Sequence, residues 1–256
     1  MEKIIGIIIQ ARMGSTRLPK KVIKKIEGKT VLEHVILRLK KVKKVSSIIL
    51  ATTDKKEDDV LERIAKNCKI EVYRGSENDV LDRFYQAAKL FNINHIVRIT
   101  ADCPLVDPKI VEKVIDLYLN GNYDYVSNTH PPTFPDGIDV EVFSFKALEK
   151  SWQEAKLTSE REHVVPYIIK NENIFKMGNV VSEKNMDYPR LTLDEKEDLI
   201  LIRKIYKELY SKNNFFGLED ILKLFEKKPL LIKINQHIGR NEGYQKSLKE
   251  DKIYGK

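Results

Sequence analysis

From Ile4 to Thr100 the chain alternates between short β-branched runs and stretches of helical periodicity: IIGIIIQ, TVLEHVILRLKKV, SIILATT, KEDDVLERIAKN, IEVY, DVLDRFYQAAKLF and HIVRIT. The order is βαβαβαβ. Strands separated by helices cannot close as hairpins and must pair through helical crossovers. The alternation therefore predicts an α/β fold, a mostly parallel sheet with helices on both faces. The first run shows no polar alternation, as expected of a strand buried on both faces. A helix is expected over residues 108–120, after which the pattern loosens. Residues 128–137, NTHPPTFPDG, hold three prolines and a glycine, too many breakers for a regular element. GIDVEVFS then alternates like a strand. Helices are expected near 145–156, 159–170, 195–210 and 217–227, and further strands in FKMGNVVS and PRLTL. No internal repeat or low-complexity segment divides the chain. It reads as one domain, residues 1–256, with an insertion or arm around 128–190.

The first strand runs into a polar turn, QARMGSTRLPKK, residues 10–21. Pro19 keeps Leu18 extended, so Gln10 to Lys21 should form a loop at the carboxyl end of the strand, where open α/β sheets bind their ligands. Arg12, Arg17, Lys20 and Lys21 supply cationic donors. Gly14, Ser15 and Thr16 let backbone N–H groups and hydroxyls converge on one anion. A polyphosphate would fit such a loop, and a solvated basic loop is the alternative reading.

Two further strand ends carry an aspartate: HIVRIT is followed closely by Asp102, and PRLTL immediately by Asp194. Carboxylates presented beside a phosphate loop can hold Mg²⁺, which takes one or two carboxylates together with substrate phosphates and waters. The competing role is helix capping. Asp194 directly precedes a helical pattern, and Asp107 precedes PKIVEKVIDLYL with Pro108 in the first turn. Capping is the preferred reading for Asp107, and metal binding for Asp102.

The 256 residues, 42% of them hydrophobic, suffice for a substantial core. The formal charge of +8 suits an anionic partner, but the cations are interspersed with acids along the helices and no RNA-recognition or zinc-finger arrangement appears. Nucleic acid is therefore not expected as a partner. Cys68 and Cys103 are the only cysteines, too few for a disulfide framework, which fits a reducing compartment such as the cytoplasm. No apolar stretch approaches the roughly 20 residues of a membrane span.

QARMGSTRLPKK resembles the nucleotide-binding loop of the CTP-dependent sugar-acid activating enzymes, and most closely the spore-coat polysaccharide biosynthesis cytidylyltransferases. The resemblance continues in order through SENDVLDRFYQAA, RITADCPLVDP, DGIDVEVFS, EREHVVPYI, RLTLDEKEDL and INQHIGRNEGYQKSLKED. It implies a Rossmann-like nucleotidyltransferase fold of the glycosyltransferase-A kind, CTP and Mg²⁺ as reactants, an anionic acceptor that is a sugar acid or a phosphorylated small molecule, and a homodimer. Carried over by position, Gln10, Ala11, Arg12, Gly14, Ser15, Thr16, Arg17 and Lys21 would bind the nucleotide phosphates. Asn78, Asp79 and Arg83 would face its base and ribose, and Asp102 and Asp194 would hold the metal. Arg12, Lys21 and Asp102 would be the catalytic set. One departure is visible: Lys20 stands where relatives commonly carry glycine.

Two other functions remain open at this level. A nucleotide-sugar-dependent glycosyltransferase on the same fold would carry a closely spaced pair of metal-binding aspartates, for which Asp136 and Asp139 are the nearest candidates. A nucleic-acid-binding protein would need aromatic residues among surface cations and a steep salt dependence. Arg161 and His163, in EREHVVPYI, are candidates for acceptor contact or for purely structural roles, and Cys103 reads as a packed thiol.

Overall fold

The computed structural model describes residues 4–254. Along the chain the elements are β1 (Ile5–Gln10), β2 (Lys25–Ile26), β3 (Lys29–Thr30), α1 (Val31–Leu39), β4 (Ser47–Thr53), α2 (Asp59–Asn67), β5 (Glu71–Gly75), α3 (Val80–Leu90), β6 (His95–Thr100) and α4 (Pro108–Asn120). They continue with β7 (Tyr125–Ser127), β8 (Glu141–Ser144), α5 (Phe145–Glu154), α6 (Thr158–His163), α7 (Pro166–Lys170), β9 (Met177–Asn179), α8 (Lys196–Leu209), α9 (Leu218–Lys227) and α10 (Glu242–Lys249). Seven strands form one sheet in the order β5-β4-β1-β6-β8-β7-β9, and β2 pairs with β3 in a separate ribbon. Only β8 runs against its neighbours in the large sheet. The expected mostly parallel α/β fold is thus observed.

The apolar pattern of β1 explains its central place. Ile7, Ile8 and Ile9 are all fully buried. Ile7 and Ile9 face one core cluster with residues of α1, α2, α4, α8 and α9, whereas Ile8 faces the other with α3, α5 and α7. Each such burial contributes on the order of 2 kcal/mol. From β1 the chain moves outward through β4 to β5, then returns across β1 to β6. The direction of winding therefore reverses between β1 and β6, and a crevice opens there at the carboxyl ends of the strands.

Several boundaries differ from expectation. PRLTL does not join the sheet. Its Arg190 makes an isolated parallel pairing with Asp136, and the N–H groups of Leu191 and Leu193 donate to the carbonyls of Asp136 and Asp102 at 2.6 and 2.8 Å. The segment spends its backbone groups stitching two loops together. Gly137 permits this approach: its φ is +98°, and an added Cβ would lie 2.3 Å from the Thr192 nitrogen. The helix expected over 159–170 is broken into α6 and α7 at Val164, whose φ is 72°, just before Pro166. Strand β7, only three residues long, was not anticipated. Within 128–190, β8 and β9 belong to the large sheet, and α5 and α7 pack on one of its faces. Asp107 caps α4 as expected, accepting from Lys109 N at 2.9 Å, with Pro108 following.

Candidate active site at the carboxyl edge of the sheet

The loop after β1 is pinned from below. Ala11, Met13 and Leu18 are buried, Met13 N donates to Asp58 Oδ1 at 2.7 Å, and Asp58 in turn accepts from Thr53 Oγ1. Alternation of buried and exposed residues leaves Arg12, Gly14, Thr16 and Arg17 facing outward. Lys20 adopts the left-handed conformation, φ 57° and ψ 30°, so the position where relatives carry glycine does require positive φ. The next residue, Lys21, turns its side chain inward.

Lys21 Nζ donates to Asp102 Oδ2 at 2.6 Å and to Asp194 Oδ1 at 2.7 Å. The two aspartates, distant in sequence, thus converge on one cation. Burial alone would raise the Asp102 carboxyl, but the Lys21 ammonium, with hydrogen bonds from Lys21 and Thr100, holds it down at about 2. Burial works against the Lys21 charge too, yet the two carboxylates more than offset it and raise its pKa. A folded pKa below the ordinary carboxylate value means that the pair's stabilisation is complete above about pH 4 and lost as pH falls through about 2. Lys21→Met should remove that acid-induced loss, because burial then raises the Asp102 carboxyl and protonation no longer costs stability; urea unfolding between pH 2 and 6 measures it, and an unchanged acid limb would contradict the pairing.

Asp194 does not cap α8. Glu195 is the capping residue, and Asp198 accepts from the N–H groups of both Asp194 and Glu195 at 2.9 Å. The Asp194 carboxylate is left for Lys21, for Arg17 at 3.1 Å and for Arg190 at 3.1 Å. Arg190 is a hub that sequence reasoning missed. Its guanidinium also meets Asp136 at 2.7 Å and Asp198 at 3.0 Å, and its Nη1 donates to the Gly239 carbonyl at 3.0 Å. Nothing local signalled it, because its partners Asp136, Asp194, Asp198 and the Gly239 carbonyl are gathered by the fold.

Around this centre lies a cleft of about 450 Å³. Gln10, Ala11, Arg12, Gly14, Ser15, Thr16, Arg17, Lys21, Arg83, Asp102 and Asp194 all line it. Gln10 is steadied by Arg98, whose Nε donates to its Oε1 at 3.0 Å. Arg12 reaches Glu77 at 3.7 Å and Glu162 at 3.9 Å. Asn78 and Asp79 are not among the lining residues. Asp79 caps α3 through Asp82 N and pairs with the buried Arg161, whose Nε lies 3.0 Å from both carboxylate oxygens. Arg161 is thereby occupied, and it also donates to the Trp152 carbonyl. Arg83 does reach the cleft. Its Nη1 donates to the carbonyls of Ser76 and Glu77, while its buried Nε has no hydrogen-bond partner. Burial and then the neighbouring Arg12 charge lower its pKa to about 10. His163 lines the cleft as well, hydrogen-bonded to Ser247 at 3.0 Å. Burial pushes the Cys103 thiol well up, as for a packed rather than a nucleophilic cysteine.

Mg²⁺ fits this donor set. A positive charge already sits between Asp102 and Asp194, within hydrogen-bond reach of both. Among the described residues no cluster of three or more histidine, cysteine or acidic ligands forms a closed metal site. Two carboxylates open to substrate phosphates are the arrangement magnesium prefers.

Residues 6–236 match the cytidylyltransferase family. The chain belongs to that family. A cytidylyltransferase of Leptospira borgpetersenii superposes with a TM-score of 0.86 at 38% identity, over 90% of this chain and 97% of that one. The spore coat polysaccharide biosynthesis protein SpsF of Bacillus subtilis is 34% identical over 211 residues, 80% of this chain and 87% of its own length. The 3-deoxy-manno-octulosonate cytidylyltransferase 2 of Hydrogenovibrio crunogenus is 29% identical over 159 residues, 61% of this chain and 57% of its own. As a cytidylyltransferase the protein is a nucleotide-transferring enzyme. The match to the cytidylyltransferase family sets the glycosyltransferase alternative aside. No described helix is long and apolar enough to cross a membrane.

Proposed function

We propose that the protein transfers CMP from CTP to a sugar acid, with Mg²⁺ and release of pyrophosphate, in the biosynthesis of a surface polysaccharide. The observation that carries this reading is the meeting of Lys21, Asp102 and Asp194 beside the Arg12–Arg17 loop, at the point where the sheet reverses its winding. An acceptor hydroxyl oxygen forms a bond to the α-phosphorus, the bond to the α,β-bridging oxygen breaks, and the hydroxyl proton passes to solvent. Asp102 and Asp194 would hold the metal, which supplies charge neutralisation of the triphosphate. Arg12, Arg17, the N–H groups of Gly14 and Thr16 and the hydroxyls of Ser15 and Thr16 bind the phosphates. Lys21, next to the metal acids, offsets charge growing on the departing pyrophosphate. Arg83, on the cleft wall, would lie toward the base or ribose. Homodimerisation and a cytoplasmic setting belong to the same proposal, the first supported by the edge position of β9 and the exposed Val181 that follows it.

The test is pyrophosphate release from CTP, UTP, ATP and GTP across sugar acids and polyol phosphates. CTP should be preferred by about tenfold to a hundredfold over UTP, because polar groups matched to cytosine are left unpaired at about 1–3 kcal/mol each when uracil enters. Equal release from all four triphosphates would remove the assignment.

A further inference from the structure

Asp102 opens a loop, residues 102–107, that joins β6 to α4. Beyond Asp102 every residue of this loop is buried, so its backbone oxygens must find partners within the protein. Alternate carbonyls find them on three separate elements. The Asp102 carbonyl accepts from Leu193 N at 2.8 Å, the Pro104 carbonyl from the Tyr206 hydroxyl at 2.7 Å, and the Val106 carbonyl from Arg38 Nε at 2.7 Å. At the end of the loop, Asp107 Oδ2 accepts from Leu218 N at 2.7 Å. The loop is thus clamped from the side opposite its metal acid.

One helix reaches both aspartates. In the first turn of α8, Asp198 accepts from the N–H groups of Asp194 and Glu195. Tyr206 follows eight residues later on the same helix, about 12 Å along its axis, and takes hold of the chain two residues beyond Asp102. Tyr206 is 1% exposed and is not among the residues lining the cleft. Its ring packs against His34 at 4.4 Å, Phe216 at 5.1 Å and Tyr210 at 5.5 Å between centroids. A phenylalanine would fill the same space, so packing does not account for the hydroxyl. What the hydroxyl does is fasten the Asp102 loop to the helix that presents Asp194.

We infer that Tyr206 is a positioning residue for the metal: through the Pro104 carbonyl its hydroxyl sets the separation of the Asp102 and Asp194 carboxylates that a divalent cation must bridge. The inference rests on the Mg²⁺-dependent transfer proposed above. Magnesium demands near-ideal octahedral geometry at short oxygen distances, so a small displacement of one carboxylate weakens its binding. The Lys21 ammonium, a point charge with three rotatable donors, tolerates the same displacement. Loss of the hydroxyl therefore leaves the Lys21 pairing in place and falls on the metal.

The experiment is calorimetric titration of CTP into wild type, Tyr206→Phe and Tyr210→Phe, in EDTA and in Mn²⁺. In the wild type Mn²⁺ should tighten CTP binding. In Tyr206→Phe that gain should shrink about tenfold, the scale on which residues behind metal ligands act, while the affinity in EDTA stays at the wild-type value. Tyr210→Phe removes a neighbouring hydroxyl that, among the described residues, makes no hydrogen bond to the loop, and it should leave both affinities unchanged. Turnover of Tyr206→Phe with the most active acid of the panel should fall at limiting Mg²⁺ and recover as Mg²⁺ is raised. A purely structural role would lower the thermal midpoint of Tyr206→Phe and leave the Mn²⁺ gain intact, which overturns the inference. An equal loss of CTP affinity in EDTA overturns it as well. A wild type whose CTP affinity is the same in EDTA and in Mn²⁺ overturns the metal site proposed above, and this inference with it.

Discussion

Replacing either Asp102 or Asp194 by asparagine is expected to lower turnover by about a hundredfold to a thousandfold while leaving the fold intact. The amide keeps the shape but cannot provide the anionic oxygen that a magnesium ion requires, and several kcal/mol of transition-state stabilisation correspond to that range. Each single variant leaves Lys21 one carboxylate partner, at 2.6 or 2.7 Å, so the buried ammonium is not stranded. Thermal unfolding of the variants should confirm retention of structure. The double variant should be little worse than either single one, because one metal site cannot be lost twice. Additive losses, or near wild-type turnover in a single variant, would mean that the two acids act separately.

The second large effect is at Lys21. Lys21→Ala should lower turnover by about a hundredfold, whereas Lys20→Ala should change it little, although the two lysines are neighbours. Lys21 touches both Asp102 and Asp194 from the wall of the cleft, and Lys20 is exposed with φ 57°. Lys20→Gly should also be more stable than Lys20→Ala, by about 1 kcal/mol, because only glycine takes the left-handed conformation without steric cost. If the loop were merely a solvated basic patch, both alanine variants would show similar modest losses that fade with added salt. A large defect confined to Lys21 and insensitive to salt separates the two cases.

What the sequence revealed and what it hid follow from the range of the interactions. Strands β1, β4 and β6 were legible because β-branched runs buried on both faces leave a local signature. PRLTL carries the same composition but forms no strand, since its backbone partners are the loops at Asp102 and Asp136. Nothing local announces that. The loop after β1 was readable as a cationic loop at the carboxyl edge of the sheet because its residues are consecutive in sequence, and Asp102 could be placed at the same edge because it follows β6. Asp79 shows the opposite case: a polar residue ahead of a helix in a segment resembling a nucleotide-reading one serves as a cap and as the partner of Arg161. Arg190 and Tyr206 escaped notice because their importance lies wholly in whom they meet, and those partners are brought close only by the folded chain.

The most direct measurement is a crystal structure with CTP and Mn²⁺ in place of Mg²⁺, using anomalous scattering to locate the metal. The account predicts a metal peak at about 2 Å from carboxylate oxygens of both Asp102 and Asp194, with Lys21 turned to the triphosphate and the phosphates within reach of Arg12 and Arg17. A nucleotide bound away from the β1–β6 crevice, or a metal that leaves Lys21 between the two aspartates, would contradict it.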